Sequence, residues 1–133
     1  MFRIFHGYIL DTLLLYPNGV SFNVLSRELK GRVSRITLLR EIKRLSEMGI
    51  ITIKGTVSHK QKKIFTVRED VINIANKLKV SYNNLSKSDA IYLIEDLINK
   101  YSELKKNIRD EFLMSYAKYR LKNTFSSIIE RLE

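Results

Sequence analysis

The side chains of this chain with the most chemistry to offer are cations. Arg40, Lys43 and Arg44 lie in SRITLLREIKRLSEMGII, residues 34–51, with Lys30 and Arg32 just before it and Arg35 at its start. A second group, Lys60, Lys62 and Lys63 with His59, stands in the polar run GTVSHKQKK, residues 55–63. Guanidinium and ammonium groups make charge-assisted hydrogen bonds to phosphate and carboxylate. Residues suited to bond-breaking chemistry are scarce. The absence of cysteine excludes a disulfide framework, a thiolate metal site and a cysteine nucleophile. The histidines are His6, flanked by apolar residues, and His59. Glu95-Asp96 and Asp110-Glu111 are adjacent pairs in helical stretches, where neighbouring side chains diverge, so they read as solvated faces. No glycine-rich phosphate loop or serine-nucleophile motif occurs. The chain is therefore expected to be no enzyme and to use no metal or cofactor. A small-molecule effector has no residue pattern behind it.

Charge is unevenly spread. Residues 1–68 hold 13 Lys and Arg against 4 Asp and Glu, a surplus of 9; residues 69–133 hold 11 against 10. A basic segment beside a balanced one points to a polyanion-binding domain, 1–68, joined to a region with another task, 69–133. Pro17 and all the glycines (7, 19, 31, 49, 55) lie in the first 55 residues, so the remainder reads as mostly helical. No apolar run reaches the ~20 residues of a membrane span. The N-terminus lacks a signal-peptide layout, since Asp11 interrupts its apolar run, and an intracellular protein is expected. High Ile, Lys and Asn content fits an AT-rich genome, archaeal or viral.

The elements that must position the cations follow from periodicity. Residues 3–16 read as a helix ended by Pro17-Asn18-Gly19, and Val20 as one strand residue beside a later hairpin. Ser21 caps a second helix, Phe22–Leu29, and Gly31 turns the chain. Ser34 opens a third helix, 34–48, with Leu38, Ile42 and Leu45 on one stripe and Gly49 as its stop. Residues 50–54 and 63–67 alternate in twos, as hairpin arms do. Helix, helix-turn-helix and hairpin with a basic tip make a winged helix, mainly α with a small β-hairpin wing, followed by long C-terminal helices.

The run YILDTLLLYPNGVSFNVLSRELKGRVSRITLLREIKRLSEMGIITIKGTVSHKQKKIFTVRED resembles the winged helix-turn-helix of prokaryotic transcription regulators, among them the MarR-like and PadR-like groups and an archaeal group of the same build. LSRELKG, SRITLLREIKRLSEMGII and KKIFTVRED carry the resemblance, with the polar run between the strands as wing. It covers residues 4–72, about half the chain. It implies a DNA-binding regulator that dimerises through helices outside this domain.

A recognition helix offers its N-terminal half to the major groove, here Ser34, Arg35, Ile36, Thr37 and Arg40. Arginine can bond a guanine edge, while threonine and isoleucine can touch a thymine methyl. Lys43, Arg44, Lys30 and Arg32 suit phosphates, and His59, Lys60, Lys62 and Lys63 the flanking backbone or minor groove. Arg35 lies about 60° from the middle of the core stripe, so packing or pairing with Glu28 is its other reading. Beyond the wing, Glu69–Asn84 reads as a helix, then a break at Ser86–Asp89. Ile91, Ile94, Leu97, Ile98, Tyr101, Leu104, Ile108, Phe112, Tyr116 and Tyr119 follow at helical spacing, with a bend expected near Asn123-Thr124. This stretch folds back on its own molecule or pairs with a second copy. Pairing, which the resemblance favours, makes it the interface of a homodimer that reads double-stranded DNA. An architectural DNA-organising protein and a winged-helix protein–protein scaffold are the rival expectations.

Overall fold

The computed structural model describes residues 1–55, 63–81 and 84–132. Among them the chain is mainly helical with one small antiparallel sheet, and it forms two compact units. One is Arg3–Ile72; the other joins Met1–Phe2 to Asn73–Glu133.

The Arg3–Ile72 unit begins with α1 (Ile4–Leu14), followed by β1 (Val20–Ser21), α2 (Phe22–Glu28), α3 (Arg35–Glu47), β2 (Ile51–Gly55) and β3 (Lys63–Val67). Serines start both α2 and α3. The Ser21 hydroxyl accepts from the Val24 N–H at 3.3 Å, and Ser34 accepts from Thr37 at 3.2 Å, each satisfying a donor the first helical turn leaves open. Gly49, at φ +77°, ends α3, and Ile50 N–H bonds back to the Leu45 carbonyl. The sheet order is β1-β3-β2, with Val20 opposite Phe65 and Ile53 opposite Phe65 on the other side. α1 packs on β3 and α3 on β2, over a core that includes Ile9, Leu10, Leu25, Leu38, Leu45 and Phe65. Ile51 is buried, but Ile53, two residues on and on the same strand face, is exposed.

In the second unit, α5 (Lys87–Asn107) and α6 (Glu111–Glu130) pack against each other. α4 (Glu69–Lys77) runs across the division between the units. Three details differ from the sequence reading. α4 stops at Lys77 rather than Asn84. The last N–H to bond back is that of Leu78, to Ile74, and the Leu78 carbonyl is taken by the Thr124 hydroxyl at 2.8 Å. The long C-terminal pattern is two helices, and they part at Ile108–Asp110 rather than at Asn123-Thr124. Ile108 is extended, and the Asp110 carboxylate accepts from the N–H groups of Phe112 and Leu113, at 2.8 and 3.2 Å. Asp110-Glu111 is therefore a helix start, a cap followed by an acidic first turn, with both residues exposed as expected. Thr124 is helical, and its hydroxyl lies within hydrogen-bond distance of two carbonyls, those of Leu78 and Arg120. Ser86 caps α5, accepting from the Asp89 N–H at 3.2 Å. Among the described residues no helix is long and apolar enough to cross a membrane.

Gly19 tests how closely β1 must lie against β3. Its φ is +102°, and a Cβ there would sit 1.8 Å from Cγ2 of Ile64. Gly19→Ala is expected to destabilise the protein by roughly 1–3 kcal/mol through backbone strain, and by more if Ile64 cannot move aside. The urea midpoint of the variant measures it, and an unchanged midpoint would show that β1 is free to shift.

Candidate nucleic-acid interface

The cations and the apolar stripe of α3 are separated by its own geometry. At 100° per residue, Leu38, Glu41, Ile42 and Leu45 fall on one side, and all four are buried. Ile36, Leu39, Arg40 and Lys43 fall on the other side. There Ile36 is 80% exposed and Leu39 63% exposed. Arg44 lies between the two sides.

Glu41 is the charged member of the buried stripe, and its side chain is 1% exposed. An isolated carboxylate at such a site would cost several kcal/mol in lost hydration. Here three donors surround it. Oε1 accepts from Nε2 of His6 at 2.7 Å, Oε2 accepts from Nε of Arg40 at 3.0 Å, and Nη1 of Arg44 stands 3.5 Å from Oε1. His6 is equally buried, and its Nδ1 accepts from the Arg3 backbone N–H at 2.9 Å. A ring nitrogen that accepts carries no proton, so the proton belongs on Nε2, facing Glu41, and the imidazole is neutral. Burial is the largest influence on His6 and holds it below its ordinary 6.5, with the Glu41 hydrogen bond opposing. Burial is also the largest influence on Glu41 and acts upward. The hydrogen bonds from His6 and Arg40 and the Arg44 charge outweigh it and keep the carboxyl below its ordinary 4.5.

The other expected contacts are placed as follows. Arg35 does not meet Glu28. Its Nη2 donates to Asn23 at 3.2 Å and its Nη1 to Ser26 at 3.4 Å, and the guanidinium lies 4.8 Å over the Phe22 ring. It braces the start of α3 against α2. Glu28 instead accepts from the Tyr16 hydroxyl at 3.0 Å. Ser34 and Thr37 are joined, hydroxyl to hydroxyl, at 2.9 Å. Arg32 lies over the Tyr8 ring at 5.3 Å. Lys30, Lys43 and Lys63 are exposed and make no ion pair among the described residues. His59, Lys60 and Lys62 lie outside the described residues. Beside α3 a cavity of about 410 Å³ opens toward β2 and β3, lined by Leu39, Ile42 and Lys43 on the helix and by Ile53, Lys63 and Phe65 on the strands.

The residues expected at a helical interface fall into three groups. Leu97, Leu104, Phe112 and Tyr116 are buried, Tyr116 completely, so they are interior side chains of the chain itself. Phe112 and Tyr119 also have the Phe2 ring beside them, at 5.3 and 5.8 Å between centroids. Ile94, Tyr101, Ile108 and Tyr119 are half-buried, while Ile91 and Ile98 are 49% and 46% exposed. Glu41 was missed by sequence reasoning. Its signal was present: a carboxylate three residues after Leu38 and four before Leu45 stands on the core stripe and needs a partner. Among the described residues no cluster of His, Asp and Glu is fit to hold a metal ion. Comparison with protein-family models, curated proteins and solved structures finds no match to this chain.

The His6–Glu41 pair makes stability depend on pH. The unfolded chain takes up a proton on His6 near 6.5, whereas the folded chain resists it, so stability falls as pH drops through that value. Glu41 adds a loss as pH falls below 4.5 through its lowered folded value. His6→Gln is expected to lower the urea midpoint at pH ~7.5 and to flatten its decline toward pH ~5.5. An undiminished decline in the variant would assign the effect to other groups.

Proposed function

We propose that this chain is a winged helix-turn-helix transcription regulator that binds double-stranded DNA as a homodimer, with α3 in the major groove. The observation that carries the reading is the outward stripe of α3. It faces solvent, has Arg40, Lys43 and Arg44 on or beside it, and belongs to the basic segment 1–68, with its surplus of 9 positive charges. The order α1, α2, turn, α3 and an antiparallel strand pair supports it, since that order is the one a winged helix needs. Lys30, Arg32, Lys43 and Arg44 meet phosphates. Binding near a promoter blocks or assists polymerase by occupancy, without catalysis.

Arg40 and Arg44 are poor probes of this reading, because removing them strips a buried carboxylate of its compensation. Lys43 is the cleaner probe. The full chain is titrated with a selected and a random duplex at two salt concentrations. A regulator binds the selected duplex ~10³-fold or more tightly, and log K falls with log salt at about −0.9 per phosphate contact. Lys43→Ala is expected to reduce that slope by about one while leaving the preference in place. A steep slope with no preference would mean an architectural DNA-organising protein. No binding would mean a protein–protein scaffold.

Dimerisation rests on α5. Ile91, Ile94 and Ile98 stand at i, i+3, i+7, and the first and last remain exposed when the chain's own core is complete. Two copies joined there present two recognition helices to a palindromic site. A solution mass of twice 15.6 kDa is expected, falling to the single value when Ile91 and Ile98 are both changed to Asp. A monomeric wild-type chain would refute the two-half-site arrangement.

A further inference from the structure

We propose that the base preference of α3 is read by apolar contact of Ile36 and Leu39 with thymine 5-methyl groups, and not by arginine on guanine. The inference rests on the DNA-binding reading above and specifies its chemistry. The polar side chains in the N-terminal half of α3 are already engaged. Ser34 and Thr37 are bonded to each other and cap the helix. Arg35 commits both Nη atoms to Asn23 and Ser26 and lays its face on Phe22. Arg40 donates from Nε to Glu41, which withdraws one edge of its guanidinium from base reading. What this half of the helix leaves uncommitted toward solvent is aliphatic: Ile36, 80% exposed, and Leu39, 63% exposed.

In the major groove the apolar feature of a base pair is the thymine C5-methyl. Residues three apart on a helix have Cβ atoms about 5–6 Å apart. Bases on one strand are spaced about 3.4 Å along the axis. The pair therefore suits thymines one or two steps apart. The flanking cations, Arg40 and Lys43, fit the phosphates that border such a site, so the occupant that matches both features is methyl-bearing DNA.

The test uses the full chain and its best duplex, selected from a random pool. Each thymine is replaced in turn by deoxyuridine, which keeps base pairing and removes only the methyl. At one or two positions affinity is expected to fall about 4-fold, the value of one buried methyl group. The double variant Ile36→Ala, Leu39→Ala should lose this sensitivity yet keep the salt slope, with its fold checked by circular dichroism. Equal affinity for thymine and uracil duplexes would overturn the inference. So would loss of binding on replacing guanine by 7-deazaguanine with no effect of uracil, which would assign the reading to arginine. Failure to bind any duplex would instead overturn the DNA-binding reading, and this inference with it.

Discussion

A buried carboxylate governs how α3 is held and what its surface offers. Glu41 cannot be desolvated alone, so it gathers the His6 imidazole from α1 and the guanidinium groups of Arg40 and Arg44. The same imidazole accepts from the Arg3 N–H at the start of α1. One ring thus joins a helix cap to the underside of α3. Arg40 and Arg44 then have two tasks, one toward solvent and one toward Glu41. Each is still more than half exposed, so a phosphate can share it, but neither side chain is free to reorient without cost.

That constraint explains which part of the site was legible in the sequence. Leu38, Ile42 and Leu45 stand at helical spacing, and Ser34 and Gly49 bracket them, so α3 could be read directly. The strand arms were legible because Ile51, Ile53, Phe65 and Val67 alternate. Which cations remain uncommitted was not legible. Arg35 looks on a helical wheel like a contact residue with Glu28 as its alternative partner, yet Asn23, Ser26 and Phe22 hold it. Those partners lie on the preceding helix, across a turn whose geometry periodicity does not encode. The role of Glu41 was half legible, because its place on the core stripe shows from spacing, whereas its partner His6 lies 35 residues away.

The C-terminal half shows the same limit from the other side. Its spacing of threes and fours continues from Leu104 through Ile108 to Phe112, across a real break in the helix. Apolar periodicity reports which residues face a core and is blind to a chain that stops and restarts in phase. Asp110 made the break, and its neighbour Glu111 disguised it as an ordinary acidic pair. At Asn123-Thr124 the opposite holds. Two poor helix formers remain helical there, and the Thr124 hydroxyl meets the carbonyl that α4 leaves open at Leu78. A local cap marks the first place, and a hydrogen bond between distant residues marks the second.

The division of labour on α3 follows from the same bookkeeping of partners. Cations attract a polyanion at any sequence, and their contribution fades with salt. Selectivity needs groups whose contact differs from base to base. A guanidinium already bonded to a neighbouring helix or a buried carboxylate must read a base with its remaining N–H groups while held in place, or give up that bond. An exposed isoleucine or leucine has no such bond to give up, and it gains by leaving water. On the proposed DNA-binding reading, holding Arg35 and Arg40 by their neighbours would shift discrimination toward Ile36 and Leu39. On the same reading, Lys43, exposed on that stripe, would be the cation best placed to strengthen binding without altering what is read.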